Sequence, residues 1–92
     1  MRALIVVEHH RSNPTSFLVS THAVALLETL PGVSEVRVEY ENSVRATISY
    51  DWRDPGVHSQ GMAATFLSEG MKVVSTTRNA RDDDPRFAAT SA

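Results

Sequence analysis

The sequence predicts an α+β domain in which a four-stranded antiparallel sheet carries two helices on one face. Residues 36–40 and 44–52 alternate between apolar and polar side chains, which is typical of half-buried strands. Apolar residues between positions 19 and 30 recur every three or four positions, as in an amphipathic helix. Taken in chain order with the remaining apolar segments, these patterns predict the order β-α-β-β-α-β.

The first part of the chain predicts a central strand and a long helix. Residues 3–8 are apolar on both faces of an extended chain, which suits the middle of a sheet. Asn13 and Pro14 form a helix-start signal, because Asn caps well and Pro is tolerated at the first helical position. The helix is expected over residues 14–30, where Pro31-Gly32 ends it. Its apolar stripe consists of Val19, Ala23, Leu26, Leu27 and Leu30.

The middle of the chain predicts a hairpin that turns at Asn42-Ser43. In its first strand, Glu39 and Glu41 are expected on one face and the alternate Val and Tyr residues on the other. In its second strand, Tyr50 and Trp52 share the apolar phase, so we expect both in the core.

A second, shorter helix and a last strand follow the hairpin. Gly70 suits the position just after a helix, and residues 71–77 suit a strand. The apolar face of this helix consists of Met62, Ala63, Phe66 and Leu67. From residue 79 the chain is polar, acidic and rich in small residues. We therefore predict one domain over residues 1–78 and a disordered tail over residues 79–92.

Composition limits the possible functions. The net charge of −2 gives no electrostatic case for binding nucleic acid, which needs clustered Lys and Arg. The absence of cysteine excludes disulfides, thiolate metal sites and thiol nucleophiles. The apolar run at residues 3–7 is too short for a membrane span or a signal-peptide core, so a soluble, cytoplasmic protein is expected. Eight Arg against one Lys is typical of a GC-rich genome, which favours an actinobacterial or phage source.

The element order suggests a ferredoxin-like sandwich, in which the helices leave one sheet face open. The centre of that face would carry alternate residues of the first strand, either Ala3, Ile5 and Val7 or Leu4 and Val6. Its flanks would carry Glu35, Arg37, Glu39, Arg45, Thr47 and Ser49.

Four short segments, in the same order and with similar spacing, resemble the heavy-metal-associated (HMA) domain over residues 2–77. They are the helix exit and second strand (LPGV at 30–33, VRV at 36–38), the hairpin turn (YEN at 40–42), the end of the third strand (ISYD at 48–51) and the start of the fourth (GMKV at 70–73). The resemblance implies the fold.

The metal function of the HMA family rests on a Met-x-Cys-x-x-Cys loop. Counting back from Leu30, its two cysteines would fall at Ser16 and Val19, and neither residue supplies the thiolate that Cu(I) requires. No metal ligand is carried over to this chain, and no cofactor is expected.

His9, His10 and Met71 form the weak candidate for a metal site. In the expected topology they lie at one end of the sheet, and a His/His/Met set could hold Cu or Ni weakly. Adjacent residues on an extended chain point in opposite directions, however, and a typical site needs three or four ligands. A polar loop that ends a strand is the simpler interpretation.

No catalytic constellation emerges from the polar residues. Ser16, Ser20 and Thr21 lie near His22, but no third group is spaced to orient that imidazole, and His58 is not expected to join it. A pair of carboxylates on one strand face is usually solvated surface. The chain is therefore not expected to be an enzyme.

The function best supported by the sequence is a non-catalytic protein-interaction module. An apolar centre inside a polar rim is a common layout for a docking surface, and it suits a partner protein or a homodimer through the open face or an edge strand. The candidate partner-binding residues are Ile5, Val7, Arg37, Glu39, Arg45 and Thr47.

Two alternatives stay open. One is a weak metal or small-ligand binder that uses the end of the sheet at His9. The other is a small dimeric α/β-barrel enzyme, whose pocket would be lined by His22 and Trp52.

Overall fold

The computed structural model describes residues 1–9, 19–42, 44–53, 61–81 and 83–87. Its elements are β1 (Arg2–His9), α1 (Val19–Glu28), β2 (Val33–Glu41), β3 (Arg45–Trp52), α2 (Gly61–Ser68) and β4 (Met71–Thr77). The predicted helix-start signal at residues 13–14 lies outside the described residues. Neither described helix combines the length and the apolar character that crossing a lipid bilayer requires.

The four strands form one antiparallel sheet in the order β2-β3-β1-β4. β1 lies between β3 and β4, and residues 3–7 are buried on both sides of it, as their apolar run predicts. The predicted α+β class, with a four-stranded antiparallel sheet and two helices, is confirmed, and the arrangement is compatible with a ferredoxin-like fold.

Both helices contribute to one hydrophobic core on the same side of the sheet, which we call the inner face. α1 contributes Val19, Ala23 and Leu27, and α2 contributes Phe66. The predicted apolar phase of β3 is confirmed, because its alternate residues point into this core. The sheet residues of the core are Ala3, Ile5, Val7, Ala46, Ile48, Tyr50, Trp52 and Met71.

Each helix is followed by a glycine in the left-handed region, as predicted, but α1 ends at Glu28, two residues before the predicted Leu30. Gly32 has φ 83° and Gly70 has φ 82°, conformations that other residues adopt at a cost. The Gly70 N–H donates to the Leu67 carbonyl at 3.0 Å and closes the last turn of α2. Leu67 itself is exposed, although its spacing predicts an apolar contact.

The hairpin between β2 and β3 turns at Asn42, as predicted. The Asn42 carboxamide oxygen accepts hydrogen bonds from the backbone N–H groups of Val44 and Arg45, each at 2.8 Å. This side-chain arrangement substitutes for a backbone turn. Ser43, the other predicted turn residue, lies outside the described residues.

β2 departs from regular alternation at two places. Its register against β3 shifts between Ser34 and Arg37 and again between Val38 and Tyr40. As a result, Tyr40 stands opposite Thr47 on the face away from the helices, while Glu41 stands opposite Ala46 on the inner face. Since Glu39 bonds to Ser49 on the face away from the helices, the prediction that Glu39 and Glu41 share a face is wrong.

Candidate functional site

The candidate site is the sheet face turned away from α1 and α2, which we call the outer face. Its centre carries Leu4 opposite Ser49 and Val6 opposite Thr47. All four are buried, with exposed fractions of 1% for Leu4, 9% for Val6, 8% for Thr47 and 0% for Ser49. The second face of an antiparallel sheet is commonly solvated, so the burial of this centre needs an explanation.

A polar network borders the centre on the side of β2. The Arg2 Nη2 donates to Ser49 Oγ at 2.6 Å, and Ser49 Oγ donates to Glu39 Oε1 at 2.8 Å. A buried hydroxyl thus links a cation to an anion, which satisfies both of its hydrogen-bonding roles.

Arg2 is only partly satisfied by this network. Its Nη1 is buried and has no hydrogen-bond partner among the described residues, although Glu35 Oε2 lies 3.9 Å away. Burial, followed by the positive charge of Arg37, lowers the pKa of the Arg2 guanidinium.

A second ionic contact lies toward the other end of the outer face. Arg45 stands opposite Glu8 in the register, and its Nη2 lies 3.2 Å from Glu8 Oε2. Because the pair is substantially exposed, it adds little stability. Arg37 stands opposite Ser49 and is also exposed, so both signs of charge surround the buried centre.

The structure divides the six predicted partner-binding residues between the two faces. Arg37, Glu39, Arg45 and Thr47 belong to the outer face. Ile5 and Val7 do not, because they are fully buried in the core of the inner face. Of the two sets of β1 residues that the sequence left open, Leu4 and Val6 are therefore those of the outer face.

Tyr40 is an outer-face residue that the sequence pattern misplaces. Strict alternation assigns it to the core with Val38, but the shift in β2 turns it to the outer face, where it is 57% exposed. An exposed tyrosine beside a buried apolar centre is a feature of protein-binding surfaces.

Residues 83–87, which we call the C-terminal strap, make ordered contacts. The Asp84 carboxylate accepts from Arg86 Nη2 at 2.7 Å and from Arg86 Nε at 3.0 Å. These bonds, followed by one from the Arg86 backbone N–H, lower the pKa of Asp84 to about 2. Phe87 is buried, with 7% exposed, and it does not belong to the inner-face core.

The predicted tail is thus in part attached to the domain. The Ala80 N–H donates to the Arg2 carbonyl at 2.9 Å, and the Arg78 carbonyl accepts from Trp52 Nε1 at 2.7 Å. The domain boundary after residue 78 stays a prediction. The one available signal for the strap was Phe87, a single aromatic residue among acidic and small ones.

His9 and Met71, two of the three candidate metal ligands, stand opposite each other between β1 and β4. Met71 is fully buried in the core, and His9 Nε2 is buried without a hydrogen-bond partner among the described residues. His10 lies outside those residues. Within the described ranges, no three residues of the types His, Cys, Asp and Glu are grouped to hold a metal ion, and the weak-binder alternative stays a prediction.

Ser20 and His22, two of the polar residues considered for catalysis, each contact a glutamate of the same chain. The Ser20 hydroxyl donates to the Glu41 carboxylate, and His22 Nε2 lies 3.4 Å from Glu69 Oε2. Ser16 and His58 lie outside the described residues. Beside Ser20, an open groove of about 420 Å³ runs between α1 and β2. It is lined by Ser20, Thr21, Val24, Ala25, Glu28 and Val38.

No protein-family model matches this chain, no curated protein is significantly similar to it, and no solved structure resembles it at a significant level.

Proposed function

We propose that this chain is a non-catalytic protein-interaction module that associates with a second copy of itself through the outer face. In this proposal the fold is a ferredoxin-like sandwich of HMA type without a classical metal site. The protein acts in the cytoplasm and does not bind nucleic acid. The observation that carries it is the layout of the outer face. An aliphatic and hydroxyl centre is surrounded by charges of both signs, with an exposed tyrosine beside it.

A second copy suits this face because its charges are balanced. Arg37 and Arg45 are matched by Glu8 and Glu39 on the same surface. A face with one dominant sign would repel an identical face, whereas a mixed face can align unlike charges across a two-fold axis. Tyr40 supplies the kind of side chain that often contributes most to binding.

Sedimentation velocity over a range of protein concentrations tests this proposal. We expect the wild-type chain to dimerise and the Tyr40→Lys variant to dimerise about tenfold more weakly, since loss of an anchoring interface tyrosine costs about 1.4 kcal/mol. Tyr40 is chosen over Val6 because it is exposed, so its replacement leaves the core intact.

Leu67→Lys is the matched control, because Leu67 is also exposed but lies on α2, on the other side of the sheet. Its dimerisation should equal that of the wild type. A chain that stays monomeric at every concentration, or an equal loss in both variants, would refute the outer face as the association surface.

A further inference from the structure

The burial of Leu4 indicates that the outer face is covered. Leu4 lies in a central strand between Ser49 on β3 and Thr77 on β4, and these small neighbours cannot bury a leucine to 1% exposure. Both helices lie on the opposite side of the sheet. The cover must therefore come from a segment outside the sheet and the two helices.

The C-terminal strap reaches this position. Arg86 Nη2 donates to Thr77 Oγ1 at 3.1 Å, and Thr77 stands opposite Leu4. Paired residues on neighbouring strands project to the same face, so Arg86 returns to the outer face beside Leu4. The next residue, Phe87, is buried outside the inner-face core.

We propose that the outer face is a receptor for an aromatic anchor, which Phe87 of the same chain fills in the monomer and Phe87 of a second copy fills in the dimer. This inference rests on the proposed self-association and identifies its occupant as the strap. Each copy would place residues 83–87 on the outer face of the other, so that the contacts of the monomer are formed reciprocally.

Two observations favour exchange of the strap over a flat contact between two sheets. The centre of the outer face is already filled, so a second sheet would have to displace the strap first. An exchanged strap makes the same contacts that it makes within one chain, which is why such swapping has a low free-energy cost. The bond from Arg86 to Thr77 is exposed, as is required of a contact that opens readily.

The test measures binding of a fluorescent synthetic peptide of residues 81–87 to the full-length chain by anisotropy. The Phe87→Ala chain should bind this peptide about tenfold or more tightly than the wild type, because its own strap no longer competes for the binding position on the outer face. The same peptide with alanine in place of its phenylalanine is the control, and it should not bind. Circular dichroism establishes that the variant is folded.

Arg86→Ala provides the second arm if Phe87→Ala does not fold. It keeps the aromatic anchor and removes the exposed bond to Thr77, so it should also bind the peptide more tightly than the wild type. Equal binding of the two peptides, or no binding to a folded variant, overturns the inference.

These results separate the inference from the proposed function. Peptide binding in a chain that stays monomeric would retain the receptor and reject self-association. Dimerisation sensitive to Tyr40→Lys, without peptide binding, would retain self-association and reject the strap as the occupant.

Discussion

Among the residues that the structure describes, Tyr50 is the largest fully buried side chain, and it lies in the core of the inner face. Burial raises the pKa of its phenol to about 12 from a usual value of 10.0, and the positive charge of Arg78 opposes this shift. The neutral phenol is therefore favoured in the folded protein. Its contribution to stability is complete below pH 10 and is lost as the pH rises toward 12.

We predict that one of the two tyrosines ionises only near pH 12 and that its ionisation accompanies unfolding. Phenolate absorbance and circular dichroism, recorded over one alkaline titration, measure both events. The Tyr50→Phe variant should lack the late absorbance step and should lose less stability over this range. Complete ionisation of Tyr50 near pH 10 in a chain that is still folded would contradict the prediction.

Residue-level prediction was accurate where burial alone decides position. Tyr50 and Trp52 follow the apolar phase of β3 and lie in the core, as predicted. β1 could not be resolved in the same way, because Leu4 and Ile5 are equally apolar and alternation does not say which of them faces the helices. The roles of Arg2 and Ser49 depend on a contact 47 positions apart in sequence, which local patterns do not contain.

At the scale of elements, β2 shows why an edge strand is harder to predict than a central one. Glu35 adopts φ 51°, in the left-handed region, within the first of its two register shifts. Bulges are frequent at sheet edges, where they twist the strand and hinder pairing with another chain. Alternation therefore placed β3 correctly and misplaced Tyr40 and Glu41 on β2. The proposed association therefore uses the outer face and not the edge at β2.

Glu35→Gly should stabilise the fold by about 0.5 kcal/mol. A non-glycine residue in the left-handed region costs about 1–2 kcal/mol, and the extra freedom of glycine in the unfolded chain offsets about 0.5–1 kcal/mol of that gain. The long, exposed contact of Glu35 with Arg2 contributes little. Urea unfolding measures the change.

Ser34→Gly is the matched control, since Ser34 is an exposed neighbour on the same strand and is not in the left-handed region. There, glycine should destabilise the fold by about 0.5–1 kcal/mol. Equal destabilisation by the two substitutions would show that the backbone at Glu35 carries no conformational cost.

At the scale of the whole molecule, the two faces of the sheet are covered in different ways. The helices cover the inner face through a continuous apolar core, which periodicity predicts. The outer face is covered by a short segment whose composition predicts disorder. Acidic and small residues dominate this segment, and a single aromatic residue, Phe87, does not change that prediction. The local cost of ordering the strap is offset by a long-range contact that composition does not encode. The sequence consequently predicts the architecture and much of the rim, but not how the centre of the outer face is covered.

Acid should release the strap before it unfolds the sheet. The bonds from Arg86 lower the pKa of Asp84 to about 2 from a usual 3.8, so the ionised carboxylate is favoured in the folded protein. Its contribution is present above pH 3.8 and is lost as the pH falls toward 2. We expect the amides of residues 83–87 to lose protection, measured relative to the intrinsic exchange rate at each pH, within this window and before the amides of β1 and β3 do so. In Asp84→Asn the strap should already exchange faster at neutral pH and show no further acid step, whereas simultaneous loss of strap and sheet protection would contradict independent release. If the strap opens first, acid exposes Leu4 and Val6 while the inner core stays folded.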